Sequence, residues 1–182
     1  MEQVSGQSYA DYVTQHIFEP LDMRHSYASH APALADGLSA GHHYMFGYAF
    51  EREYAVPLPG VPGGGLIASV EDMTHYAIAQ LNDGRYGDTS ILSAQGIATL
   101  HTPAILMGGN DHYAMGWVVG TMDGIPAVWH GGTDVGNLSM LILLPTHGSG
   151  VVLLSNAYGF VQSTQVDQIA KGVVSLLNGK SP

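Results

Sequence analysis

Cysteine is absent from this 182-residue sequence, and cationic side chains are scarce. The absence of cysteine excludes disulfides, thiolate nucleophiles, Cys-ligated zinc and iron–sulfur clusters. Five Lys and Arg residues stand against 15 Asp and Glu residues, which gives a formal net charge of -10. A nucleic-acid-binding protein needs clustered cations to displace counterions, and an anionic membrane surface would repel this chain. We therefore expect no nucleic acid and no anionic membrane among its partners.

Long apolar runs and a targeting pattern are also missing. No run approaches the ~18 apolar residues of a membrane span. The opening Met1-Glu2-Gln3-Val4 lacks the basic and apolar regions of a signal peptide. Hydrophobic residues make up 46% of the chain and charged residues 11%, whereas disordered chains combine low hydrophobicity with high charge. The composition predicts one folded domain over residues 1–182.

Apolar residues at helical spacing predict four helices. Ser8, Ser69 and Ser93 stand where N-cap residues belong. The predicted helices cover residues 9–17, 70–81, 94–101 and 163–177. Residues 21–43 show no sustained period, so we predict an irregular segment there. Residues 57–65 contain three prolines and four glycines, which predicts a tight loop.

Alternation of apolar and polar residues predicts strands, mostly in the second half of the chain. The predicted strands cover residues 44–54, 113–121, 127–130, 136–144 and 150–156. The connections between the later strands are short and rich in turn residues, which favours antiparallel pairing. We therefore predict an α+β fold in which an antiparallel sheet carries a packed C-terminal helix and irregular insertions.

Two apparent motifs do not fit the chemistry that they suggest. The ten histidines include no pair at metal-ligand spacing on one helix face, so we interpret them as solvated surface residues. Gly37-Leu38-Ser39-Ala40-Gly41 satisfies the G-x-S-x-G pattern, but a nucleophile elbow needs a buried strand before the serine and a helix after it. The residues on either side of Ser39 predict neither.

A third pattern is Trp129-His130-Gly131-Gly132-Thr133. It lies at the end of one predicted strand and just before the next. Two glycines beside a polar side chain at a strand edge let a ligand approach the main chain closely. A backbone N–H at such a place can serve as half of an oxyanion hole. A glycine-rich hairpin turn is the alternative interpretation.

Blocks of sequence along nearly the whole chain resemble serine β-lactamases of the class C type and penicillin-binding-protein-like hydrolases. They include Pro62-Gly63-Gly64-Gly65-Leu66, Tyr113-Ala114-Met115-Gly116-Trp117 and His130-Gly131-Gly132. The full set, in the order of the family, is residues 4–9, 18–23, 62–69, 72–73, 113–117, 130–132 and 151–156. The resemblance implies part of a β-lactamase/transpeptidase-like fold.

The resemblance also implies a site. In this family Ser-x-x-Lys supplies the acylated nucleophile and a base, Tyr-x-Asn a proton-shuttling phenol, and Lys-or-His-x-Gly a wall of the pocket. By resemblance His130 begins that third box and orients the substrate carboxylate or the catalytic hydroxyls. Gly131 and Gly132 leave room for the acyl chain, and the amide of Thr133 is an oxyanion donor. No metal or organic cofactor is implied.

The other two family motifs do not occur in this sequence. The residues three before Lys171 and Lys180 are Gln168 and Leu177, and no Tyr has Asn two residues after it. We therefore expect the C-terminal part of a hydrolase that cleaves an ester, amide or β-lactam, inactive by itself without its N-terminal half. The alternatives are a non-catalytic module that binds peptidoglycan-type peptides or a partner chain, and a truncated product without function.

The resemblance further implies an extracytoplasmic location and a small-molecule or peptide acyl substrate. An incomplete sheet would leave one edge strand open. Open edges pair with other chains, so we expect self-association through that edge.

Overall fold

A computed structural model describes residues 1–52, 62–134 and 136–180 of the chain. Three of the six described helices begin at a serine cap: the hydroxyls of Ser8, Ser69 and Ser93 each accept a hydrogen bond from the backbone N–H three residues later. The helices are α1 (Glu2–Ser5), α2 (Tyr9–Val13, continued by a π-helical turn at Thr14–Phe18), α3 (His30–Ala35), α4 (Val70–Leu81), α5 (Ala94–Leu100) and α6 (Phe160–Leu177).

The described strands form one large sheet and three small ones. The large sheet consists of β7 (Ile105–Gly108), β8 (Asp111–Tyr113), β9 (Val118–Met122), β10 (Ile125–Asp134), β11 (Asn137–Leu144) and β12 (Ser149–Ser155). These six strands pair antiparallel in the order β12-β11-β10-β9-β8-β7. The small sheets use β1 (Ser26–Tyr27), β2 (Gly41–Met45), β3 (Tyr48–Arg52), β4 (Ile67–Ala68), β5 (Arg85–Tyr86), β6 (Thr89–Ser90) and β13 (Ala157–Tyr158).

Helices α4 and α6 cover opposite faces of the large sheet. On one face Ala77 of α4 packs in a buried cluster with Val128 and Leu141. On the other face Ala170 and Val174 of α6 pack in a second cluster with strand residues such as Ile142. Neighbouring strand residues alternate between the two clusters because successive side chains point to opposite faces. The predicted antiparallel sheet with a packed C-terminal helix is confirmed.

The N-terminal helices form a third buried cluster with α4. It includes Phe18 and Leu21 from the N-terminal segment and Ala79 from α4. A buried carboxylate ties this layer together: Oδ2 of Asp72 accepts hydrogen bonds from the backbone N–H of His25 at 2.7 Å and from the hydroxyl of Ser26 at 2.7 Å. Both partners belong to the segment that forms β1. The start of α4 therefore holds β1 in place through one side chain.

Two predicted strands are in fact hairpins. The strand predicted over residues 44–54 is β2 and β3, joined by a turn in which Phe46 and Gly47 both have positive φ angles; residues 53 and 54 lie outside the described residues. The strand predicted over residues 113–121 begins as β8, turns at residues 114–117 and continues as β9. Alternation continues through a short turn, so it did not reveal either break.

Two other expectations are corrected. Residues 21–43, predicted to be irregular, contain β1, α3 and the start of β2. Helix α3 spans six residues, which is too short for a helical period to be recognised. Strand β7 was not predicted, because its four residues Ile-Leu-Met-Gly show no alternation. Of the loop predicted over residues 57–65, residues 57–61 lie outside the described residues.

The predicted helices starting at Ser69 and Ser93 are confirmed to within a residue. The helix predicted from Ser163 starts earlier, at Phe160. In the described part of the chain, no helix combines the length and the apolar character that crossing a bilayer requires.

Candidate active site

All four predicted site residues lie in strand β10. The predicted strand ended at His130, but β10 continues to Asp134 and keeps His130, Gly131, Gly132 and Thr133 paired with β11. Neither glycine has a positive φ angle. The glycine pair is therefore extended strand rather than a hairpin turn.

The end of β10 is paired on one side only. The described pairing with β9 stops at Trp129, which lies opposite Val118, while the pairing with β11 runs on to Asp134. Antiparallel residues alternate between hydrogen-bonded and non-hydrogen-bonded pairs. Met122 and Ile125 flank a two-residue turn and therefore form a hydrogen-bonded pair. Hydrogen-bonded pairs recur at every second residue, so the backbone N–H and C=O groups of odd-numbered residues in β10 face the β9 side. The amides of Gly131 and Thr133 therefore face the side where β9 has ended.

The side chain of His130 lies on the α4 face of the sheet. Its cross-strand neighbour is Leu141, which belongs to the buried cluster beneath α4. The next row toward the end of the strand is Gly132, Ser139 and Leu154, taken from three adjacent strands. These three residues are exposed, and Leu154 is 43% exposed. The core thus ends beside His130 and leaves an uncovered surface next to it.

The phenol of Tyr113 lies next to His130 on this surface. The hydroxyl oxygen of Tyr113, at the end of β8, lies 3.2 Å from Nε2 of His130. The two rings meet edge to face with centroids 6.1 Å apart and an interplanar angle of 65°. Tyr113 belongs to one of the blocks that resemble the family, but it was not predicted to be a site residue. Its role could not be seen in the sequence because the contact joins positions 17 apart.

The glycines of the site make space for particular neighbours. A Cβ on Gly132 would lie 2.6 Å from the hydroxyl of Ser139, and a Cβ on Gly131 would lie 3.2 Å from Cε of Met140. The missing side chain at Gly132 therefore lets the Ser139 hydroxyl lie over the strand on the His130 face. The sequence did not predict that Ser139 lies beside the candidate site residues.

Other candidate features lie apart from this surface. Ser39 is exposed and follows helix α3 and precedes strand β2, which is the reverse of the order a nucleophile elbow requires. Two cavities of about 540 Å³ have linings that do not include residues 130–133; one lies beside α2 and the other between α6 and the sheet. Within residues 1–52, 62–134 and 136–180, no three His, Asp or Glu side chains are grouped to hold a metal ion.

A titratable cluster lies on another part of the surface, between β1 and α3. Nδ1 of His25 lies 2.6 Å from Oδ2 of Asp36, and the hydroxyl of Tyr27 donates a hydrogen bond to the same oxygen. The hydrogen bond with Asp36 raises the pKa of His25, and the bonds from His25 and Tyr27 lower the pKa of Asp36. Both groups are exposed to solvent.

Comparison with known proteins identifies the family. The family model described as Beta-lactamase matches residues 1–174. The chain is 27% identical over 165 residues to an unguisins hydrolase of Aspergillus campestris, and 30% identical over 170 residues to penicillin-binding protein 4 of Amycolatopsis lactamdurans. Each match covers 86% of this chain. It is also similar to the octameric penicillin-binding protein homologue from Pyrococcus abyssi, with 27% identity and a TM-score of 0.86 over 100% of this chain.

The chain belongs to the β-lactamase family, as the resemblance predicted. It spans 30% and 43% of the lengths of the two sequence relatives and 40% of the Pyrococcus abyssi chain. The similarity therefore concerns less than half of each of these proteins.

Proposed function

We propose that this chain forms one wall of the acyl-transfer site of a serine hydrolase. The observation that carries the proposal is the end of β10, where the Thr133 amide faces away from β11 beyond the last residue paired with β9. A backbone N–H that bonds to no neighbouring strand is free to bind a developing oxyanion. A buried amide without a partner would cost ~1–3 kcal/mol, and at this exposed position solvent or substrate can supply the partner.

Each residue of the wall has a part in the proposed chemistry. The Thr133 amide donates to the oxygen that becomes negative when a nucleophile attacks the acyl carbon. Gly131 and Gly132 let the acyl group lie along the strand, and His130 binds the substrate carboxylate or the catalytic hydroxyls. The attacking serine and its base must come from polypeptide outside this chain, because the sequence contains no Ser-x-x-Lys.

We place the missing half of the site on the α4 face, against the exposed row of Gly132, Ser139 and Leu154. Strand β12 is an edge strand in the described sheet, so further strands can pair there. The relatives are more than twice as long as this chain, which is consistent with a second half of the fold. The Pyrococcus abyssi homologue is octameric, and assembly of copies is a second way to cover exposed surface.

Amide chemical shifts of the ¹⁵N-labelled chain test the oxyanion wall. We expect N-acetyl-D-alanyl-D-alanine and benzylpenicillin to shift the amides of Gly131 and Thr133 saturably. Intact-mass analysis after incubation with penicillin should show no covalent adduct, since the acylating motif is absent. A stoichiometric adduct on any serine, Ser39 included, would contradict the proposal.

A proline substitution isolates the proposed donor. Thr133→Pro removes the N–H but keeps the ladder to β11, because that N–H faces the unpaired side, where a strand tolerates proline. Thr133→Val keeps the N–H and serves as the matched control. The proposal requires that the proline variant lose probe binding and that the valine variant retain it. Equal binding by both variants would overturn it.

The coding DNA upstream of the Met1 codon separates the enzyme from its alternatives. In-frame Ser-x-x-Lys and Tyr-x-Asn motifs there would support a hydrolase of which this chain is one part. A stop codon with a ribosome-binding site would favour a module that binds peptides or a partner chain without cleaving them, or a product without function.

A further inference from the structure

We propose that Tyr113 is a positioning residue that fixes the tautomer of His130, with its hydroxyl donating a hydrogen bond to Nε2. The 3.2 Å separation of the phenol oxygen from Nε2 and the edge-to-face contact of the two rings carry the proposal. The contact joins β8 to the part of β10 that extends beyond β9.

The direction of the hydrogen bond follows from the donors available. A neutral imidazole carries one N–H and one acceptor nitrogen, and a phenol carries one O–H. The unprotonated imidazole nitrogen is a more basic acceptor than the phenol oxygen, so the phenol donates the hydrogen bond and Nε2 accepts it. The proton of neutral His130 then resides on Nδ1. The tautomer of a histidine is set in this way by the bond that its other nitrogen makes.

The fold holds Tyr113 firmly enough to serve this purpose. The next residue, Ala114, is buried, and its N–H donates to the carbonyl oxygen of Trp117 at 2.7 Å, which closes the turn after β8. Trp117 is 5% exposed and packs against the rings of Tyr76 and His101. The Tyr113 backbone is thus anchored beside the buried Trp117, while Tyr113 itself is 36% exposed.

The consequence for the site rests on the proposed function. With Nε2 accepting from Tyr113, Nδ1–H is the group that His130 offers to a substrate carboxylate or a catalytic hydroxyl. His130 in its neutral state is then a donor rather than a general base. Loss of the phenol would free Nε2 to carry the proton and would convert Nδ1 into an acceptor.

The ¹⁵N chemical shifts of the two ring nitrogens, measured on the chain labelled at histidine, report the tautomer directly. The signals of His130 are assigned from their disappearance in His130→Gln. At a pH where His130 is neutral, we expect a protonated Nδ1 and an unprotonated Nε2. A predominant Nε2–H form in the unsubstituted chain overturns the proposal without any test at Tyr113.

Tyr113→Phe keeps the ring contact and removes the hydroxyl. We expect the His130 signals to shift toward the Nε2–H form in this variant. The matched control is Tyr158→Phe, since the Tyr158 ring also packs edge-on against a histidine, His43, at 5.2 Å; it should leave His130 unchanged. An unchanged tautomer in Tyr113→Phe overturns the proposal. If the tautomer responds while acyl probes leave Thr133 unaffected, the positioning contact stands and the proposed function fails.

Discussion

At the scale of single residues, Gly136 combines a left-handed backbone conformation with a close contact to another strand. Its φ angle is +84°, and a Cβ there would lie 2.8 Å from the carbonyl carbon of Gly41. The N–H of His42 also donates to the Gly136 carbonyl oxygen at 3.2 Å. The turn between β10 and β11 therefore touches the backbone of β2, and both elements depend on the absence of a side chain.

We predict that Gly136→Ala is more destabilising than an ordinary substitution of a left-handed glycine. The left-handed conformation alone costs about 1–2 kcal/mol for a residue with a Cβ. The clash with backbone atoms adds about 1–3 kcal/mol, typical of overpacking. Urea unfolding measures the loss of free energy.

Gly37→Ala is the matched control for this prediction. Gly37 has a similar φ angle of +86°, but nothing lies within 4 Å of its Cβ position. It should show the backbone cost alone. Equal losses in the two variants would mean that the contact between Gly136 and Gly41 does not limit stability.

At the scale of elements, the ion pair between His25 and Asp36 links the β1 segment to the residue that ends α3. Its hydrogen bond raises the pKa of His25, with smaller contributions from Asp72 and Glu71, and lowers the pKa of Asp36. The contribution of His25 to stability is fully present below its unfolded pKa and is lost as the pH rises through its raised folded pKa. That of Asp36 is present above its unfolded pKa and is lost as the pH falls through its lowered folded pKa.

We therefore predict that the link is strongest between the lowered pKa of Asp36 and the raised pKa of His25. In an NMR titration the pKa of His25 should lie above the ordinary value of ~6.5. Asp36→Asn should bring it back toward that value, because the hydrogen bond to a carboxylate is lost. The internal control is His101, whose pKa is lowered by burial; its titration should not move, because His101 does not contact Asp36. A His25 titration unaffected by Asp36→Asn would contradict the geometry.

At the scale of the whole molecule, the described sheet has an open edge at β12, seven residues long. The outer backbone groups of an edge strand can pair with another chain. Leu154 on this strand is 43% exposed and adds apolar surface beside the proposed site. The edge and the apolar surface together favour association of this chain with itself or with a complementary half.

We predict that the chain by itself sediments as oligomers or aggregates. Leu154→Lys should shift the distribution toward monomer, because a lysine on an edge strand opposes edge-to-edge pairing. Val4→Lys is the control, since Val4 is 93% exposed on α1 and its charge change is the same. Sedimentation velocity distinguishes the outcomes. A well-behaved monomer with a sharp cooperative melt would contradict the prediction.

Much of the fold could be predicted because its signals are local. Ser69 and Ser93 each cap the helix that follows, and a cap depends on residues three positions apart. Strands β11 and β12 are eight and seven residues long and are rich in apolar residues, so each is long enough to be recognised. The hairpins β2–β3 and β7–β8 could not be predicted in this way, because their strands are three to five residues long.

Some features of the candidate site could likewise be predicted from the sequence, and others could not. The sequence by itself determined the family, the position of residues 130–133 near a strand end, and the absence of an acylating Ser-x-x-Lys. The tertiary structure alone decided that β10 extends beyond the end of β9, that the Thr133 amide faces the side of β10 that is not paired with β11, and that Tyr113 contacts His130. These facts depend on the register between strands, and register is set by packing between residues distant in the chain.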